Sequence, residues 1–275
     1  MTLTTLQLSN PYGVATYREA GGVIAGQAAP LVLVHGVGMQ SASWQPQLDH
    51  FGKTRHVIAV DMPGHGGSDC LPDGAALPQF VDWLLAVLDA LGLDQVNLAG
   101  HSMGALIAGG FAVSHPARLE RVALLNGVFC RDAAASAAVK ARAGQIKQGA
   151  FDLETPLSRW FGNTPTELEA RAKVASWLSE VRLDGYATAY TAFADGDATY
   201  ASGFATIACP LLALTGDGDL NSTPQMSKAM AAAAACGRAV VIEGHRHMVN
   251  LTAPDAVNAA LGEWLEIPVK ERDVA

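Results

Sequence analysis

Cysteine is scarce and scattered in this chain: Cys70, Cys130, Cys209 and Cys236 are four among 275 residues, with no CxxC pair. A zinc ribbon or a disulfide framework needs close or dense cysteines, so neither is indicated, and the four read as reduced, mostly buried thiols. Charge is sparse too, at 16% of residues, and no run of Lys or Arg rises against a formal net charge of −8. A phosphate backbone has no electrostatic footprint to bind, which argues against nucleic acid as a partner. Nowhere do about 20 apolar residues run together as a spanning helix requires, and residues 1–10 lack the basic start and apolar stretch of a signal peptide. The expectation is a cytoplasmic protein without a membrane partner.

Hydrophobic residues are abundant, at 50%, and their pattern is informative. Residues 31–34, 57–60, 122–125, 211–214 and 239–242 are unbroken apolar runs, as expected of parallel strands buried on both faces. Helical periods lie between them: Val81, Leu84, Leu88 and Leu91 closed by Gly92, and Val257, Ala260, Leu261 and Trp264 after Pro254. Alternating strand and helix predict an α/β class with a mostly parallel central sheet flanked by helices.

That alternation breaks between Gly127 and Ile207, where helical patterns occur without a convincing strand. We therefore expect a core of residues 1–127 and 207–275 and an inserted helical cap over 128–206. Thr164-Pro165-Thr166-Glu167 predicts a helix start with a capping box, followed by Leu168, Ala172, Ala175 and Leu178 on one face. Tyr186, Tyr190 and Phe193 form an aromatic stripe after Asp184-Gly185, read first as packing and second as a substrate wall. The Ala-rich stretches 133–138 and 229–236 favour helix.

The chemistry centres on Gly100-His101-Ser102-Met103-Gly104, which follows the strand-like 96–99 and precedes the helix-like 105–114. This is a GxSxG nucleophile elbow in its required context. A serine hydroxyl needs a base to accept its proton, and histidine has the pKa for that task. After such an elbow the acid comes next in the chain and the histidine last. That order leaves His245 and His247 as bases, and Asp217 and Asp219, after the 211–214 run, as acids; Asp132 is a weaker alternative. An HxH pair can also be a metal half-site, but no Cys or acidic cluster adjoins it, so no metal is expected. For an oxyanion, the Met103 N–H at the helix start is one donor, and His35-Gly36-Val37-Gly38 offers the Val37 N–H as a second. His35, His65 and His101 read as structural histidines beside tight turns.

HGVG, DMPGHGGSD, GHSMG, TGDGD and HMVNLTAPDAV occur in the order and spacing of the α/β-hydrolase superfamily, which the chain resembles over nearly its whole length. The resemblance implies the α/β-hydrolase fold, and it selects Asp219, three residues after Gly216, over Asp217. It also selects His247, seven residues before Pro254, over His245. More loosely, Asp184-Gly185-Tyr186 before a helix, followed by Pro210 and the acid loop, is similar to the 3-oxoadipate enol-lactonase-like group of lactonases and carboxylesterases. Carbon–carbon bond hydrolases share the core, but their longer glycine-rich loop is not matched by Gly36-Val37-Gly38-Met39. Dehalogenases and epoxide hydrolases need aspartate where Ser102 stands.

The expectation is a cofactor-independent serine hydrolase that cleaves a small ester or lactone through an acyl-enzyme on Ser102, with Asp219 and His247 completing the triad. Carbon–carbon or amide hydrolysis or perhydrolysis on the same residues is the alternative, and a low-turnover binding protein a further one. Arg131, Arg159, Arg171, Lys173 and Arg182 could include a clamp for a substrate carboxylate, and Trp160 and Phe161 could line the pocket. The partner expected is a small molecule, with homo-oligomerisation possible.

Overall fold

The structure, a computed structural model, describes residues 2–22 and 29–269; the outer ends of the expected core, 1 and 270–275, lie outside the described residues, as do 23–28. Eight described strands make one sheet: β1 (Leu3–Gln7), β2 (Val14–Ala20), β3 (Leu31–Val34), β4 (Val57–Val60), β5 (Val96–His101), β6 (Leu119–Leu125), β7 (Leu211–Gly216) and β8 (Gly237–Ile242). Their order is β1-β2-β4-β3-β5-β6-β7-β8. The β1–β2 and β2–β4 pairs are antiparallel, and every other pair is parallel.

The unbroken apolar runs have a direct cause. In β3, Leu31 and Leu33 enter a cluster with Trp44, Leu48 and Trp264, while Val32 and Val34 enter a second cluster with Ile58, Phe80 and Ile107. Successive side chains point to opposite faces, and both faces are covered. Truncating such a residue, for example Leu33→Ala, costs about 2–5 kcal/mol. On one face lie α1 (Gln45–Phe51) and, from the end of the chain, Val257, Leu261 and Trp264; on the other lie α2 (Leu77–Ala90) and α3 (Met103–Ser114). α2 stops where the sequence indicates, with Gly92 at φ +67°.

Between β6 and β7 the chain forms α4 (Ala133–Lys147), α5 (Glu154–Trp160), α6 (Pro165–Ser179) and α7 (Leu183–Gly196), without a described strand. α8 (Pro224–Ala233), α9 (Val249–Thr252) and α10 (Pro254–Leu265) complete the fold. The capping box forms: Thr164 Oγ1 accepts from the Glu167 amide at 3.3 Å, and Glu167 Oε2 accepts from the Thr164 amide at 3.1 Å.

Several expectations are corrected. The buried face of α6 is Glu167, Ala170, Val174 and Leu178, whereas Leu168 is 50% exposed, because the helix is rotated about one residue from the predicted stripe. Residues 239–242 belong to β8, the sheet edge, and are only half-buried over most of their length. The helix expected over 229–236 ends at Ala233. The thiols are not mostly buried: all four are free, Cys130 and Cys236 exposed, Cys70 and Cys209 half-buried.

Candidate active site

β5 passes into α3 through one residue, Ser102, at φ +55° and ψ −113°. Positive φ is strained for a residue with a side chain and persists only where the surroundings impose it. Here a β-carbon on Gly100 would meet the Gly104 carbonyl, and one on Gly104 would meet the Val34 carbonyl. The Ser102 amide donates to Leu125 O at 2.9 Å, which fixes the elbow to the end of β6. Ser102 is buried apart from 7% of its surface and lines a cavity at the sheet's C-terminal edge.

His247 lines the same cavity, delivered by the turn after β8. Its Nδ1 lies 2.8 Å from Asp219 Oδ2. That carboxylate also accepts from Asn126 Nδ2 at 2.8 Å and from the amides of Asn221 and Ser222 at 2.8 and 3.0 Å. Burial pushes the Asp219 carboxyl up, but the His247 charge and the hydrogen bonds from His247, Asn126 and the Ser222 amide outweigh it and hold the group below its ordinary value. An ionised Asp219 favours the proton on Nδ1, so Nε2 of the neutral ring is left as the acceptor. His101 Nε2 donates to the His247 carbonyl at 2.8 Å. The Trp160 ring lies over His247, with centroids 5.5 Å apart and planes inclined by 30°.

The alternates are placed elsewhere. Asp217 is exposed and accepts from the Gly244 amide at 2.8 Å, which fixes the turn after β8. His245 Nδ1 pairs with Thr252 Oγ1 at 3.0 Å, so the two rings of the HxH pair diverge. Asp132 caps α4 by accepting from Ala135 N at 2.8 Å. Asn126, which is not among the residues singled out from the sequence, is a further Asp219 partner; its place at the end of β6, beside β7, is the signal that could have found it.

Two buried histidines shape the loop after β3. His35 Nδ1 lies 2.8 Å from Gly36 O, and its Nε2 accepts from the Met62 amide at 2.9 Å. His65 Nδ1 lies 3.0 Å from Pro63 O, and its Nε2 accepts from the Gly38 amide at 2.9 Å. Burial drives both rings neutral, His35 down to about 4 and His65 down to about 3, and His101 likewise to about 3. The Gly38 and Met39 amides are thus engaged by His65 and by Gly36 O, whereas those of Val37 and Met103 have no hydrogen-bond partner among the described residues.

The cavity measures about 480 Å³ and is roofed from α4, α5 and α7. Tyr186, Tyr190 and Phe193 line it, so the aromatic stripe serves as a wall as well as packing. Arg131, Arg142 and Arg159 also line it. Arg131 is buried over Phe193, 4.4 Å from the ring centroid, and paired with Asp197 at 3.3 Å. Arg142 Nη2 donates to Asp152 O at 3.0 Å, and its Nη1 pairs with the Asp152 carboxylate at 3.8 Å. Arg159 is exposed at the cavity and has no ion pair or hydrogen bond among the described residues. Arg142 was not foreseen; it shares the α4 face with Ala135, Ala138 and Val139. Of the other cations considered, Arg171 pairs with Glu154, Lys173 with Glu169, and Arg182 donates to Ser68 O, all outside the cavity lining. Trp160 lines the cavity, while Phe161 is buried beside it.

Among the described residues no group of three or more His, Cys, Asp or Glu is arranged to hold a metal, and no helix is long and apolar enough to cross a membrane.

A profile of the alpha/beta hydrolase family matches residues 31–260. The chain is 52% identical over 266 residues to the (E)-2-((N-methylformamido)methylene)succinate hydrolase of Acinetobacter baylyi, covering 97% of this chain and 99% of that protein. Among solved structures, the enol-lactonase from Burkholderia xenovorans LB400 superposes with a TM-score of 0.83 at 27% identity, over 95% of this chain and 99% of that one. A thermophilic esterase from Thermogutta terrifontis shares the fold, with a TM-score of 0.84 and 24% identity over 96% of this chain and 98% of that one.

Proposed function

This chain belongs to the alpha/beta hydrolase family, and on that premise we propose that it is a cofactor-independent serine hydrolase of a small, doubly anionic amide. The observation that most supports this reading is the convergence of Ser102, His247 and the guanidinium groups of Arg131, Arg142 and Arg159 on one cavity. The relative that is 52% identical is named for a methylenesuccinate bearing an N-methylformamido group. Such a molecule has two carboxylates for the guanidinium groups and one acyl bond, the formamide C–N bond, for the serine.

In the proposed reaction Ser102 Oγ attacks the formyl carbon while His247 Nε2 takes its proton. The Val37 and Met103 amides donate to the oxyanion, and Asp219 stabilises the imidazolium. His247 then protonates the leaving nitrogen, the C–N bond breaks, and an acyl-enzyme remains. Water deprotonated by His247 attacks that ester, and formate and the free serine are released. The helices α4–α7 act as the cap, with Arg159 and Arg142 as the carboxylate anchors. Arg131 contributes less, because Asp197 pairs with it at 3.3 Å and both side chains are buried, whereas the Asp152 carboxylate lies 3.8 Å from Arg142 and is 45% exposed. These steps need only water, so no cofactor is invoked. The cytoplasm suits a water-borne dianion, and the enzyme is proposed to work without a membrane or nucleic-acid partner.

A second reading, an ester or lactone substrate, is favoured by the likeness to the enol-lactonase. One panel separates the two: N-formyl enamines of methylenesuccinate, enol-lactones and short esters, followed by NMR with native protein and Ser102→Ala. Formate release that depends on Ser102 and exceeds ester turnover is expected. Faster lactone or ester cleavage favours the second reading, cleavage at a carbon–carbon bond overturns both, and ligand-induced stabilisation without turnover moves a binding protein to the front.

A further inference from the structure

Arg246 stands between the two histidines of the HxH pair but does not line the cavity. Its Nη1 donates to Ser158 O at 3.0 Å and to Phe161 O at 2.7 Å. Both carbonyls belong to the C-terminal end of α5, where a helix leaves its last carbonyls without amide partners. Here neither can recover one from the following chain. The amide due to Ser158 is that of Gly162, which donates instead to Glu167 Oε1 at 2.8 Å. The position due to Phe161 is Pro165, which has no N–H. The other end of Arg246 is fixed as well: its carbonyl accepts from Asn126 Nδ2 at 3.3 Å, the amide that also holds Asp219.

The segment Arg246 grips carries Arg159 on the cavity and Trp160 over the His247 ring. We propose that Arg246 is a positioning residue, a latch between the His247 loop and the end of α5 that holds Arg159 and Trp160 where an anionic substrate meets them. This inference rests on the reading of the site given above. One guanidinium nitrogen, Nη1, serves both carbonyls; an ammonium has donors enough for both but on a shorter side chain, and a thioether does not donate at all.

The test compares native protein with Arg246→Met, Arg246→Lys, Arg159→Gln and the Arg246→Met/Arg159→Gln double variant. Each is assayed for kcat and KM on the methylenesuccinate formamide, for the rate of labelling by a small neutral fluorophosphonate, and for amide hydrogen exchange across 154–162. Arg246→Met is expected to raise KM about tenfold or more, with a smaller effect on kcat and on labelling. Arg246→Lys should recover part of the loss, exchange at the end of α5 should quicken, and the KM effect should shrink in the Arg159→Gln background. Unchanged exchange across 154–162, an unchanged KM, or a full effect in the Arg159→Gln background overturns the latch. Failure of native Ser102 to label or turn over instead overturns the hydrolase reading, and the exchange result then decides the latch alone.

Discussion

His247 Nδ1 and Asp219 Oδ2 are 2.8 Å apart, and neither side chain is more than a few per cent exposed. Water therefore does little to screen their interaction, and the carboxylate sets both the tautomer and the orientation of the ring. Asp219→Asn should keep the fold and lower kcat by about 10³-fold or more, since an amide neither enforces the tautomer nor stabilises the imidazolium. Asp217→Asn should leave kcat within a few-fold, because that side chain fixes a turn through one exposed contact. Steady-state kinetics on the two variants decide the assignment, which is lost if Asp217→Asn is the inactive one.

The three cavity arginines should respond differently to neutralisation. Arg159 is unpaired among the described residues, so Arg159→Gln should raise KM for a dianion about 10–100-fold with little change in melting temperature. Arg131 is buried against Asp197, so Arg131→Gln should destabilise the protein by about 3 kcal/mol by leaving a buried carboxylate with the Arg131 backbone amide but no cation. Thermal melts and KM values for a dianionic and a neutral substrate separate the two effects. Equal KM losses on both substrates in Arg159→Gln would rule out a carboxylate anchor.

The contrast among these arginines illustrates what one dimension conceals. The buried strands, the elbow and the order of Ser102, Asp219 and His247 are legible because each follows from local pattern: apolar runs, close glycines, chain order. Strands β1 and β2 are not, since they are antiparallel, partly exposed and short of unbroken apolar residues. β8 reads as buried because its residues are apolar, yet burial depends on whether another strand follows it in the sheet. Which of the cations between β6 and β7 reach the cavity depends on the rotation of α4, α5 and α6 about their axes. An offset of about one residue moved the buried face of α6 from Leu168 to Glu167, and the same sensitivity hid Arg142 and brought in Arg171.

Acid should destabilise the protein before it titrates Asp219. His35, His65 and His101 have ordinary values of 6.5 and folded-state values of about 4, 3 and 3. Between those limits the unfolded chain binds protons that the native state refuses, so stability rises with pH in this window and is lost as pH falls from 6.5 towards 4. The Asp219 contribution has the same sign but disappears only below its ordinary 3.8. Melting temperature should therefore drop between about pH 7.5 and about pH 5. In His65→Gln the drop should be smaller, because one of the neutral rings is gone, although the variant starts lower through loss of the Gly38 contact. An equal drop in native and variant would show that His65 does not carry this linkage.

Asn126 offers the sharpest probe of the site because it can be changed electrostatically with little change of shape. Its backbone, at φ +48°, is pinned by its own amide to Leu214 O at 2.7 Å and by Ser222 Oγ donating to its carbonyl at 2.6 Å. Asp tolerates that conformation nearly as well as Asn. Asn126→Asp therefore replaces a donor 2.8 Å from Asp219 Oδ2 with a second negative charge. A like charge disfavours ionisation of its neighbour, so the Asp219 carboxyl should rise. The proposed mechanism needs Asp219 ionised and the His247 ring free to accept a proton, and an added negative charge works against both, so the acid limb of kcat/KM should move to higher pH. Asn126→Ala removes only the donor, so its limb should move the same way by less. A profile of kcat/KM against pH for native protein and both variants tests this order. An acid limb that stays in place in Asn126→Asp would mean that Asn126 does not tune the carboxylate, whatever its effect on rate at neutral pH.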